Sequence, residues 1–123
     1  MKLHLNTTAG QNTIFAHGAG YIDINGERYS APVLLTPDWI DSPWHVKEIA
    51  MLQFNDFAAL IARKPVIVVF GSGTKFHFPD MRVMAAFSKA QIGFEVMDTG
   101  AACRTYNVLM SEGRNVAAAL FVE

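Results

Sequence analysis

Val66-Ile67-Val68-Val69-Phe70 offers no polar side chain to either face of a strand, and Gly71-Ser72-Gly73-Thr74 breaks the run at once. A strand with one wet face alternates apolar and polar residues. A run that is apolar on both faces belongs inside a sheet covered on both sides. Helices supply such cover, and helical patterns flank the run. Upstream, Phe54, Phe57, Ala58 and Ile61 fall at i, i+3, i+4 and i+7, with Asn55 as the expected N-cap and Pro65 as the stop. Downstream, a second helix is expected after Pro79-Asp80, with Val83, Met84, Phe87 and Ala90 facing inward and Gly93 ending it. Phe94 to Met97 reads as a short strand. Thr99 then caps a third helix, whose buried stripe is Ala102, Tyr106, Leu109 and Met110 and whose C-terminal turn uses Gly113. Val116 to Val122 is a last apolar strand. The order α-β-α-β-α-β requires a parallel sheet with right-handed crossovers.

The first third has a different rhythm. Tyr21-Ile22-Asp23-Ile24 alternates, and Asn25-Gly26 follows, a pair that tolerates the positive φ of a tight hairpin. The return strand is expected over Arg28 to Thr36, and Pro32 within it predicts a sheet edge. Pro37, Trp39, Pro43 and Trp44 mark an irregular connection, and Val46 to Leu52 reads as extended. The hairpin must pair elsewhere or add an antiparallel part to the main sheet.

At 123 residues, slightly more than half of them hydrophobic, residues 1–123 form a single domain with enough apolar side chain to fill a core. The predicted class is α/β, with a mixed, mostly parallel central sheet, helices and a small N-terminal antiparallel β element. Ten Lys and Arg are scattered among eleven acids for a net charge of -1, which offers no basic face to nucleic acid. Cys103 stands alone, so no internal disulfide can form. The longest apolar run, Val116 to Val122, is far short of the roughly 20 residues that span a bilayer. The Met1-Lys2-Leu3-His4-Leu5-Asn6 start lacks signal- and transit-peptide patterns, and a cytoplasmic, bacterial protein is expected.

Ligands on parallel sheets collect beyond the carboxyl ends of the strands. Two segments fall there, Gly71 to Lys75 and Met97 to Thr99, and they are expected to meet. The Gly71-Ser72-Gly73 turn could offer backbone N–H groups to an anion, although the dinucleotide fingerprint fails at Phe76 and Walker spacing is absent. Asp98, Thr99, Arg104, Tyr106 and Asn107 crowd one helix start, where Asp98 or Thr99 serves equally well as a cap and Arg104 as a partner for Asp98. Cys103 lies near the same helix start, where a thiolate is favoured; a nucleophile would need a base such as His77 brought near in space, and a small buried hydrophobe is the simpler reading. His4, His17, His45 and His77 have no metal-site spacing, so neither a metal nor another cofactor is expected, and no catalytic residue is assigned. Trp39, Ile40, Trp44 and Phe76 either fold back onto the core or form a partner surface, which leaves a homo-oligomer open.

The run Glu95-Val96-Met97-Asp98-Thr99, then Ala102-Cys103-Arg104-Thr105-Tyr106-Asn107-Val108-Leu109, then Glu112-Gly113-Arg114-Asn115-Val116-Ala117-Ala118-Ala119-Leu120 resembles the C-terminal signature of a domain family of unknown function. That family is named after an archaeal methanogen protein and includes mitochondrial NADH:ubiquinone oxidoreductase (complex I) assembly factor 3. Gly71-Ser72-Gly73, Gly20-Tyr21, Asn25-Gly26, Tyr29, Pro37 and Trp44 extend the likeness over nearly the whole chain. The resemblance implies a three-layer α/β fold and a non-enzymatic, protein-binding module whose partners are respiratory complex subunits or assembly proteins. It carries Gly71, Gly73, Asp98, Thr99, Arg104, Thr105, Tyr106, Asn107, Glu112 and Arg114 across as family positions without a catalytic role. The alternative is a small anionic ligand or an enzyme site between the Gly71 turn and the Asp98-Thr99 loop, with Cys103 or Tyr106 as the reactive group.

Overall fold

A computed structural model describes residues 10–123; the expectations for Met1 to Asn6, His4 included, lie outside the described residues. Strands β1 (Ile14–Gly18), β2 (Tyr21–Ile24) and β3 (Glu27–Tyr29) form a small antiparallel sheet in the order β1-β2-β3. The β2–β3 hairpin turns on Asn25 and Gly26, both at positive φ as the dipeptide predicts. β4 (Val33–Thr36), β5 (Trp39–Asp41), β6 (Ile67–Gly71), β7 (Gly93–Met97) and β8 (Val116–Leu120) form the central sheet in the order β5-β4-β8-β6-β7. β6 runs parallel to both β7 and β8, while β4 runs antiparallel to β5 and β8, so the sheet is mixed. The N-terminal strands therefore do both things open to them: three pair apart, and two extend the parallel half.

The single return strand expected over Arg28 to Thr36 is two strands in two sheets, β3 and β4. Pro32 marks the break between them. The edge position it suggested is wrong, because β4 lies between β5 and β8. Pro32 has no N–H to give a ladder, but its carbonyl accepts from the Trp44 N–H at 2.8 Å and so ties down the next connection.

α1 (Ala58–Ile61) is the continuation of a 3₁₀ turn over Phe54–Phe57. It starts at Gln53 rather than Asn55, and the Asp56 carboxylate accepts from the Gln53 N–H at 2.8 Å. With about three residues per turn at the start, Phe54, Phe57 and Leu60 align, and Ala58 turns out to solvent instead of inward. Val46 to Leu52, expected to be extended, closes into a short 3₁₀ turn at Ile49–Met51. α2 (Met81–Lys89) buries Val83 and Phe87, as its periodicity predicts, but Ala90 falls past its end and is exposed. α3 (Thr99–Ser111) buries Ala102, Cys103, Tyr106 and Met110.

The crossovers β6-α2-β7 and β7-α3-β8 step across the sheet in opposite directions, so their helices cover opposite faces. On one face Leu34, Val68, Phe70, Ala117 and Ala119 meet Phe57, Leu60, Val83 and Phe87. On the other, Leu35, Val69, Ala118 and Leu120 meet α3 together with Ile14, Ile22 and Ile24 of the small sheet. Helices, central sheet, then α3 beside the small sheet make three layers. Phe57 is the hub of the first face, with edge-on contacts to Trp44, Phe87 and Phe94 at 5.1, 5.1 and 5.8 Å. Phe57→Ala is expected to lower unfolding free energy by about 3–5 kcal/mol, read from urea unfolding midpoints.

Candidate functional site

The two segments at the carboxyl ends of β6 and β7 do meet, and they are bonded to each other. Ser72 N–H donates to the Met97 carbonyl at 2.9 Å, and Thr99 N–H donates to the Gly73 carbonyl at 2.9 Å. The Thr99 hydroxyl accepts from the Gly73 N–H at 2.8 Å and donates to the Phe121 carbonyl at 2.7 Å, so one side chain staples the ends of β6 and β8 to the start of α3. The close approach needs a glycine: a Cβ on Gly71 would lie 2.9 Å from Thr99 Oγ1 and 3.1 Å from Thr99 Cα. Gly73 takes φ +101 with Glu123 against it. The Ser72 side chain is spent within its own turn, donating to the Lys75 carbonyl at 2.6 Å and accepting from the His77 N–H at 3.0 Å.

Asp98 is the N-cap of α3, not Thr99; its carboxylate accepts from the Ala101 N–H at 2.9 Å. Asn107 reaches the small sheet. It donates to the Ile14 carbonyl at 2.7 Å and accepts from the Ile14 N–H at 3.0 Å, pairing with β1 as a strand residue would. The next residue inward, Tyr106, is buried and donates to the Asn12 carbonyl at 2.8 Å. Burial pushes the Tyr106 phenol up from its ordinary value, and Asp38 adds to the effect. Cys103 is buried in the same layer. Burial pushes its thiol up to about 12, against a smaller opposing pull from Arg104. That is the opposite of the low value a nucleophile needs. His77 does not come to Cys103; it lies by Phe78, Phe121 and Glu123, and the histidine that shares a groove with Cys103 is His17.

Arg104 points away from the Gly71 turn. It is exposed and lines a groove of about 330 Å³ with Phe15, His17 and Asn107. It makes no ion pair with Asp98, and the ion pairs among the described residues are His45–Asp56 at 2.7 Å and Arg82–Asp80 at 3.0 Å.

Above the stapled segments lies a cleft of about 200 Å³, lined by His17, Tyr21, Gly73, Asp98, Thr99 and Glu123 among others. Ligand pockets run from roughly 300 to 1,000 Å³. Its charged walls are the Asp98 and Glu123 carboxylates, with no Lys or Arg among the lining residues, a lining that repels anions. Glu123 is held below the usual carboxylate range by hydrogen bonds from the Thr74 N–H and hydroxyl at 2.8 and 3.1 Å. Sequence reasoning missed His17, Tyr21 and Glu123. They come from β1, β2 and the chain's last residue, and no local pattern links them to the Gly71 turn.

Sequence reasoning also missed most of a set of exposed apolar side chains. Met51, Phe76, Phe78 and Met81 are 72, 53, 61 and 84% exposed. Phe76 and Phe78 pack edge to face at 4.7 Å. Met51, Asp80, Arg82 and Val83 line a groove of about 440 Å³ that reaches down to Leu52 and Phe54. The signal was present in outline: apolar residues off every helical stripe, in a segment rich in aromatics. Of the two tryptophans, Trp44 folds into the core, and Trp39 sits in β5 under the Arg63 guanidinium, 4.3 Å from the ring centre.

These features define a three-layer α/β scaffold in which Thr99, Tyr106 and Asn107 of α3 bond to the neighbouring segments. The chain belongs to a family of proteins of unknown function (DUF498/DUF598), which it matches over residues 14–121. It is 36% identical over 100 residues to rat NADH dehydrogenase [ubiquinone] 1 alpha subcomplex assembly factor 3, covering 79% of this chain and 53% of that protein. The chain thus spans about half the length of that relative. It is 26% identical to a 13 kDa major membrane protein of Francisella tularensis over 80% of each chain. Among solved structures, a Bordetella parapertussis protein superposes with a TM-score of 0.86 at 34% identity, covering 93% of this chain and 98% of that one. No helix among the described residues is long and apolar enough to cross a membrane.

Two outcomes are expected from this geometry. Asn107→Ala should destabilise the fold by about 1–3 kcal/mol, because it leaves both Ile14 backbone groups unpaired, whereas Arg104→Ala should change stability by less than about 0.5 kcal/mol; urea melts check both. Alkaline pH should also destabilise the protein. Above the ordinary thiol value of 9.0 the unfolded chain releases the Cys103 proton while the native state holds it to about 12, so the unfolded state binds fewer protons and stability falls as pH rises. The decline should shrink in Cys103→Ala, and the native thiol should react with a thiol reagent only on unfolding.

Proposed function

We propose that this protein is a non-enzymatic protein-binding module that helps assemble a respiratory or other membrane-associated complex, working from the cytoplasm of a bacterial cell. The observation that carries this reading is the set of exposed apolar side chains Met51, Phe76, Phe78 and Met81, with Met51 lining a groove and Phe76 packed on Phe78. Aromatic and methionine side chains are what interface cores are made of, and flexible methionines adapt to a partner's shape. The assembly-factor relatives support the same class of role and suggest respiratory complex subunits or their assembly proteins as partners. The Asp98-to-Arg114 face, with exposed Arg104 beside Phe15 and Val108, is a second place where a partner could dock. Self-association through the exposed apolar side chains is the homo-oligomeric version of the same reading.

A small anionic ligand or an enzymatic site between Gly71-Ser72-Gly73 and Asp98-Thr99 has less support. Ser72, Thr99, Tyr106 and Asn107 spend their polar groups on internal bonds, Cys103 is buried and protonated, and the cleft walls are acidic.

Gentle crosslinking in native cells, affinity capture and mass spectrometry test the proposal. Capture of respiratory complex subunits or assembly proteins, reduced about tenfold or more in Phe78→Ser/Met81→Ser, is the expected result for hot-spot residues. Recovery of the protein alone, or of the same partners by the double variant with its fold intact, would overturn it.

A further inference from the structure

β7 is an edge strand, and its backbone polarity can be read from two hydrogen bonds. Gly93 N–H donates to the Val66 carbonyl at 3.0 Å, and Ser72 N–H donates to the Met97 carbonyl at 2.9 Å. In a parallel pair both backbone groups of a residue point to the same side. Gly93, Glu95 and Met97 therefore turn theirs toward β6, and Phe94 and Val96 turn theirs off the outer edge of the sheet. No described backbone group pairs with those outward N–H and C=O groups, because β7 has β6 as its one neighbour in the sheet. Unprotected edges of this kind are templates for a further strand.

The side chains state what kind of strand fits. Phe94 and Val96 pack against the Phe57–Phe87 core and reach the sheet's margin half-buried. Phe94 stacks on Phe87 with ring centres 4.3 Å apart. An added strand would continue that core with apolar side chains beside both. Glu95 points to the opposite face, is exposed, and forms no ion pair with another described residue. It is the one charge on the edge.

A second copy does not fit. The twofold antiparallel register that would use all four outward groups on each chain is centred on Glu95 and sets the two carboxylates directly opposite each other, a destabilising pair. A basic residue there reverses the sign.

We infer that the outer edge of β7 is a docking site for an extended segment of a partner protein, added to the five-stranded sheet as a further strand, with apolar residues beside Phe94 and Val96 and a lysine or arginine beside Glu95. This inference rests on the protein-binding reading and names one kind of segment that binds.

The test uses two synthetic peptides that differ only in a central lysine or glutamate between two valines, titrated into the ¹⁵N-labelled protein. The lysine peptide should shift the Phe94 and Val96 amides and slow their hydrogen exchange. The glutamate peptide should bind about threefold to tenfold more weakly, and Glu95→Lys should invert the order. The inference is overturned if neither peptide moves those two amides at millimolar concentration, or if both bind equally to wild type and to Glu95→Lys. It is also overturned if the free protein already protects Phe94 and Val96 as strongly as Val69. Native-cell capture separates the two levels. Partners kept by Glu95→Lys but lost in Phe78→Ser/Met81→Ser leave the protein-binding reading standing and remove the edge.

Discussion

Val116–Leu120 carries three alanines in a row, and all five residues of the strand are buried. β8 pairs antiparallel with β4 and parallel with β6, so the N-terminal and C-terminal halves of the chain join through it. Its small side chains let large ones approach from both sides. Ala117 and Ala119 leave room for the phenylalanine layer, and Ala118 for α3 and the small sheet's isoleucines. Close packing of this kind tolerates little added volume, since an extra methylene forces its neighbours off their rotamers. A strand that comes last in the chain thus determines how near the three layers lie.

Some of the polar residues that carry the family resemblance act as fasteners within and between those layers. Thr99 joins three segments at the top of the sheet, Asn107 imitates a strand partner for Ile14, and Asp98 starts the helix that carries both. Buried polar groups are costly unless they are paired, so each of these bonds demands one geometry. The same demand removes them from chemistry. A hydroxyl that already donates to Phe121 and accepts from Gly73 has no proton left to give a substrate.

Two features of the outer surface are apolar or backbone. The exposed Met51, Phe76, Phe78 and Met81 side chains and the unpaired rim of β7 lie on the margins of the scaffold. Surface of this kind is a liability in solution and an asset in a complex, because its desolvation is what association gains from. Glu95 tempers the edge by opposing self-pairing. Both features suit a protein that meets other proteins better than one that turns over small molecules.

The α/β half was legible because its signals are local. Val66–Phe70 is apolar on both faces wherever it is placed, and the stripes of α2 and α3 and the Asn25-Gly26 turn follow from spacing and φ alone. The meeting of the Gly71 and Asp98-Thr99 segments could be foreseen from topology. The errors lay where a second partner decides. Pro32 looked like an edge residue, but β8, more than eighty positions later in the sequence, takes the open side of β4. Asn55 looked like a cap, but a tighter first turn moved the start to Gln53. His77 was the histidine a reactive Cys103 would have needed nearby, yet the small sheet brings His17 instead. Sequence by itself determined the strands and helices of the α/β half and much of its core, because burial and backbone preference act over a few residues. Tertiary structure alone decided which polar groups are consumed and which surfaces stay open, because hydrogen-bond partners and exposure depend on residues that chain order does not bring together.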